Sequence, residues 1–66
     1  MTTQNELLKE LVVIRIKRVL LRKGKQYEQE LYNDVGRGVT PQEYFSIVNK
    51  LLVDGVIARS VSVVIN

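Results

Sequence analysis

The sequence has 66 residues and contains neither cysteine nor histidine. Without cysteine there is no disulfide and no thiolate ligand to brace so short a chain. Without histidine a zinc site is effectively excluded too, because carboxylates alone favour harder metals. No metal and no cofactor is expected. Long apolar runs are also missing. Uninterrupted ones such as Leu11–Ile14 fall far short of a membrane span. The opening MTTQNE is polar and acidic, unlike a secretory signal. The lack of cysteine fits a reducing compartment. The expectation is a soluble, cytoplasmic protein with no membrane partner.

Catalytic constellations are absent as well. The serines have no plausible base, and Glu28, Glu30 and Asp34 read as the solvated face of a helix rather than a pocket. Gly36-Arg37-Gly38 is too short and common to count as a phosphate-cradling loop. An enzyme is not expected. Residues 1–66 make one domain. A chain of this size buries only about 60% of its unfolded surface, so helix packing or self-association must supply the margin.

What is present is basic. Ten Lys and Arg against seven Asp and Glu give a net charge of +3. Their distribution says more than the total. Arg15, Lys17, Arg18, Arg22, Lys23 and Lys25 fall in one stretch with no acid between them. Such a run is the footprint of a phosphate-binding surface. It is equally what a solvated helix face looks like near a C-terminus, where the dipole favours cations.

The first periodic element runs from about Asn5 to Lys23. At about 100° per residue, Leu8, Val12, Ile16 and Val19 share one broad face, with Val13 and Leu20 on its far margin. Leu7, Leu11, Ile14 and Leu21 form a second stripe, with Arg15, Arg18 and Arg22 between the two. Two stripes exceed the needs of a three-helix core. The second is therefore expected to face a partner, most simply another copy of the chain. The β-branched LVVIRI also alternates as a strand would, which is the competing reading.

Gly24 breaks this element. A short helix over Tyr27–Val35 follows, with Tyr27, Leu31 and Val35 on one side and no strong N-cap. Gly36 is placed as its C′ glycine. The third helix has the clearest start. Thr40 suits the N-cap, Pro41 suits N1, and Glu43 at N3 completes a capping box. Tyr44, Phe45, Ile47, Val48, Leu51 and Leu52 form its expected buried stripe, and Gly55 stops it. VIARSVSVVI then alternates as a strand, with Ile57, Val61, Val63 and Ile65 on one face.

Two helices, a glycine turn, a capped helix and LLVDGVI running into β structure resemble the winged helix-turn-helix family. The matching features are Leu31, the turn at Gly36–Gly38, the helix capped at Thr40, and the closing Leu52, Gly55 and Ile57. The likeness runs from about Asn5 to Ile65 and is one of pattern, not of signature residues. It implies a mainly α fold with a small C-terminal β segment, a three-helix winged helix-turn-helix-like domain. Members mostly bind duplex DNA with the third helix in the major groove and a β-hairpin wing beside it. A substantial minority bind proteins instead. The chain departs from the pattern in two ways. VIARSVSVVI has no turn residue at its centre, so Arg59–Ser60 makes a tight hairpin or the segment is one strand with an open edge. Its single cation, Arg59, is also sparse for a wing.

The resemblance implies roles residue by residue. The third helix, about residues 41–54, would turn Gln42, Ser46, Asn49 and Lys50 toward bases, since Gln and Asn pair with adenine and Ser and Lys reach base or phosphate. Lys25, Gln26 and Tyr27 at the start of the second helix, with Arg37 and Arg59, would meet the DNA backbone. Leu7, Leu11, Ile14 and Leu21 would form the dimer or partner surface. Expected partners are double-stranded DNA and a second copy, giving half-sites about one helical turn apart. The protein would serve as a transcriptional regulator or a replication accessory. The alternative is a protein–protein interaction or dimerisation module without DNA binding. Gln, Ser, Asn and Lys are also common on any solvent face, and Tyr44 reads best as a core residue.

Overall fold

A computed structural model describes residues 4–66, with side chains from Glu6 onward. The long periodic segment is a helix, α1 (Gln4–Lys23). LVVIRI is part of it because Val12, Ile16 and Leu20, spaced four apart, are all buried. Packing of that row outweighs the β-propensity of its branched residues. Leu20 thus sits in the core, and Leu8, Val13 and Val19 pack around it, half-buried. Gly24 ends α1 at φ +77, with its N–H donating to the Leu20 carbonyl at 3.0 Å. Glycine takes this left-handed conformation without a Cβ clash.

The second helix, α2 (Glu28–Val35), begins one residue later than the sequence pattern suggests. Tyr27 is its N-cap, extended at φ −66 and ψ 146, with no side-chain cap. Its ring is 60% exposed, so the stripe of Tyr27, Leu31 and Val35 reduces to Leu31 and Val35. The cause lies far away in sequence. Gln26 bridges antiparallel to Val63, donating its N–H at 3.0 Å and accepting at 2.8 Å. That pairing keeps the chain extended until Tyr27.

Gly36 is the C-cap of α2 at φ −83, not a left-handed C′ residue. A Cβ there would lie 2.7 Å from the Tyr32 carbonyl oxygen and 2.8 Å from its ring. Glycine is needed here for clearance. The left-handed position in this turn is Gly38, at φ +85. The Tyr32 hydroxyl closes the turn by donating to the Val39 carbonyl at 3.3 Å.

The third helix, α3 (Pro41–Val53), starts as its residues dictate. The Glu43 N–H donates to Thr40 Oγ1 at 3.2 Å, and the Thr40 N–H donates back to Glu43 Oε1 at 3.3 Å. It stops at Gly55, φ +76. There the Val56 N–H reaches the Leu51 carbonyl and the Gly55 N–H the Leu52 carbonyl, at 2.9 and 3.1 Å, a Schellman pair.

The last segment is a hairpin, not one strand. Strand β1 (Ile57–Arg59) pairs antiparallel with β2 (Val63–Ile65), with Arg59 opposite Val63 and Ile57 opposite Ile65. The turn is Ser60–Ser62, held by the Ser60 N–H donating to the Ser62 carbonyl at 3.1 Å. Val61 therefore leaves the apolar face and projects at the tip, while Ile57 and Val63 are buried. Asn66 ties the hairpin base, donating from Nδ2 to the Gly55 carbonyl at 2.9 Å. Three helices and a small antiparallel sheet make a mainly α, winged-helix-like layout. All five elements, with Val39, contribute to one hydrophobic core. Among the described residues no helix is long and apolar enough to cross a membrane.

Candidate nucleic-acid interface

Burial of Tyr44, Ile47, Val48 and Leu51 orients α3. With that side inward, Gln42, Ser46, Asn49 and Lys50 are all exposed. At about 100° per residue they span one continuous face. Glu43 is the one acid within the helix, and its carboxylate is taken up at the N-terminus. Besides the Thr40 N–H, it accepts the Thr40 hydroxyl at 3.0 Å. The outward face of α3 thus carries neutral hydrogen-bonding groups and one cation.

Phe45 does not join the buried stripe. It is 47% exposed, on the margin of the outward face one turn before Asn49. The reason is steric: Tyr44 fills the core, and Phe45 is left edge-on to it, with ring centroids 5.6 Å apart. Tyr44 also meets Tyr32 edge-to-face at 4.8 Å. Phe45, Tyr44, Tyr32 and Pro41 line an open groove of about 520 Å³ beside Glu28 and Gln29. Only the packing order of neighbouring aromatics decides this exposure, so the helical period alone does not reveal it.

The Tyr44 hydroxyl is buried without a hydrogen-bond partner among the described residues. Burial, reinforced by the negative charge of Glu28 and opposed by Arg59, pushes its pKa up to about 12. Arg59 lies across the surface from its own strand to α2, where Nη1 donates to Glu28 Oε1 at 2.7 Å. Its guanidinium is thus engaged within the chain.

The residues expected along the DNA backbone have different environments. Lys25, Tyr27 and Arg37 are exposed. Gln26 is half-buried, its N–H spent on Val63 and its side-chain amide on the Lys25 carbonyl at 3.0 Å. It therefore has no backbone donor left for a phosphate. The first turn of α2 carries Glu28 and Glu30, which oppose an anion there. Lys23 is paired with Asp34 at 3.3 Å. On the other side of α3, Ser46 and Lys50 share an open groove of about 540 Å³ with Lys9 and Lys17 of α1, and the acids Glu10 and Asp54 line it too. Lys17 belongs to the basic run already visible in sequence, whereas Lys9 escapes notice because the groove exists only once α1 and α3 cross. Among the described residues no group of three His, Cys, Asp or Glu side chains is placed to hold a metal.

Compared with protein-family models, characterised proteins and solved structures, the chain matches none.

Proposed function

We propose that the protein binds double-stranded DNA as a small winged-helix regulator or replication accessory, with α3 in the major groove. One observation carries this reading. The outward face of α3 presents Gln42, Ser46, Asn49 and Lys50 while the only acid in that helix is folded back into its cap. A face of amides, a hydroxyl and an ammonium matches the donors and acceptors of base edges, and a free carboxylate there would repel phosphate. Lys25, Tyr27 and Arg37 flank it as backbone contacts. Arg59 joins them when a phosphate replaces Glu28 as its partner. Lys9 adds a cation on the α1 side of the groove, across from Lys50. The setting is cytoplasmic, where a chain without cysteine also fits.

The test is fluorescence anisotropy of a labelled mixed-sequence duplex, titrated at several salt concentrations. With about four to six cations on phosphates, log affinity falls with log salt at a slope of roughly −4 to −5. Absence of binding even at low salt overturns the proposal. The competing reading, a protein-interaction winged helix, is favoured by the exposed Phe45 and its groove. In that case Phe45→Ala abolishes function, and Lys50→Glu combined with Arg37→Glu leaves it intact.

A further inference from the structure

The outer face of α1 carries an apolar seam that the fold does not use. Leu7, Leu11, Ile14 and Leu21 are 54%, 41%, 51% and 73% exposed. With Arg18 they follow spacings of 4, 3, 4 and 3 residues, the a/d spacing of paired helices. The seam lies on the side of α1 opposite Val12, Ile16 and Leu20, so nothing in the chain's own core competes for it.

Charges beside the seam select the occupant. Glu10 and Lys17 are exposed on one flank, at equivalent positions one heptad apart, and neither makes an ion pair among the described residues. Seven residues of helix separate them by about 10 Å, too far to pair with each other. We propose that this face binds the same face of a second copy, antiparallel, with Leu11 of each copy against Ile14 of the other. In that register Glu10 of each copy lies beside Lys17 of the other, which pairs both orphan charges at once. Leu7 then packs on the aliphatic stem of the other copy's Arg18.

The parallel alternative is disfavoured by the same residues. It would pair Glu10 with Arg15 on the flank, but it would also set Lys17 against Arg22 there and Arg18 against Arg18 in the seam, like charges in two of three places. The distribution along α1 agrees. Its second half holds Arg15, Lys17, Arg18, Arg22 and Lys23 with no acid, so parallel copies would align two basic halves.

The experiment is sedimentation velocity across a wide concentration range, without DNA, so that its outcome is independent of nucleic-acid binding. A dimer is expected for the native chain and a monomer for Ile14→Asp. Circular dichroism is expected to show Ile14→Asp still folded, because Ile14 lies outside the core. Glu10→Lys alone and Lys17→Glu alone each weaken association roughly tenfold, and the two together restore it. Orientation is read from Leu21→Cys, in a chain with no other thiol. Antiparallel copies hold these positions about 25 Å apart and stay unlinked under oxidation.

A native chain that is monomeric throughout overturns the proposal and leaves the seam to a different protein. A dimer indifferent to Ile14→Asp overturns it too, by placing the interface elsewhere. Failure of the double charge swap to restore association, or ready disulfide formation by Leu21→Cys, overturns the antiparallel register.

Discussion

Helices α1 and α3 both leave one side uncovered, but they leave different chemistry on it. The outer side of α1 is apolar at seam positions and charged at the flanks, so water is a poor partner for its centre. The outer side of α3 is polar along its middle, with apolar groups only at its margin and end, Phe45 and Val53. An apolar seam gains free energy by excluding water, which requires a complementary surface of protein. A row of amides and a hydroxyl gains little from burial and discriminates through directional hydrogen bonds. Exposure alone therefore says nothing of a partner. What is exposed, and what charge borders it, separates the proposed self-association surface from the proposed reading surface.

The two faces come apart most clearly at Ile14. Ile14→Asp places a charge at the centre of the seam, and sedimentation should show the dimer lost, with DNA affinity per chain changed far less. If DNA affinity collapses as fully as association, the two surfaces are not separate. The reciprocal test is Lys50→Glu with Arg37→Glu. Duplex affinity should fall roughly a hundredfold at low salt, with a shallower salt slope, while sedimentation remains that of the native chain.

Smaller effects probe how α3 is held. Tyr44 has a pKa raised from 10.0 to about 12 in the folded chain, so folding favours its neutral form. The associated stability is complete below pH 10 and is lost as pH rises from 10 toward 12, by up to about 2–3 kcal/mol. Denaturant unfolding at pH 9 and pH 11.5 measures this loss. Tyr44→Phe keeps the ring, removes that part of the alkaline loss, and costs little at neutral pH because the hydroxyl has no partner to give up. Thr40→Ala removes one half of the capping box, and urea unfolding should register a loss of about 1 kcal/mol. The backbone N–H at position 40 still holds the Glu43 carboxylate, so duplex binding should fall no further than the loss of stability explains.

Much of the layout was legible because its signals are local. Thr40, Pro41 and Glu43 lie within a single helical turn, and the groups they satisfy are their own backbone. Gly24 and Gly55 end helices through φ values that glycine alone tolerates cheaply. The two stripes of α1 follow from its period, and the uncovered one is as exposed as the pattern predicts. Less legible were features that join distant segments. Gln26, which the sequence pattern sets beside phosphate, has its backbone N–H and carbonyl paired with Val63. Arg59 was expected on the backbone of DNA and is held by Glu28, 31 positions away. Phe45 was assigned to the core and lies outside it, because Tyr44 and Tyr32 already fill that space.

Local sequence thus sets where α3 begins, where α1 and α3 end, which side of each turns inward, and that the chain has more apolar surface than its core consumes. Those properties depend on neighbours within a few residues, where backbone geometry and hydrophobic period act directly. Tertiary structure alone decided that the last ten residues fold back at Ser60–Ser62, a turn without Gly, Asn, Asp or Pro. Burial of both Ile57 and Val63, with the bridge to Gln26, supplies the free energy that local turn chemistry does not. Tertiary structure likewise decided which cations remain free, because an ion pair depends on where two side chains meet in space and not on their separation along the chain.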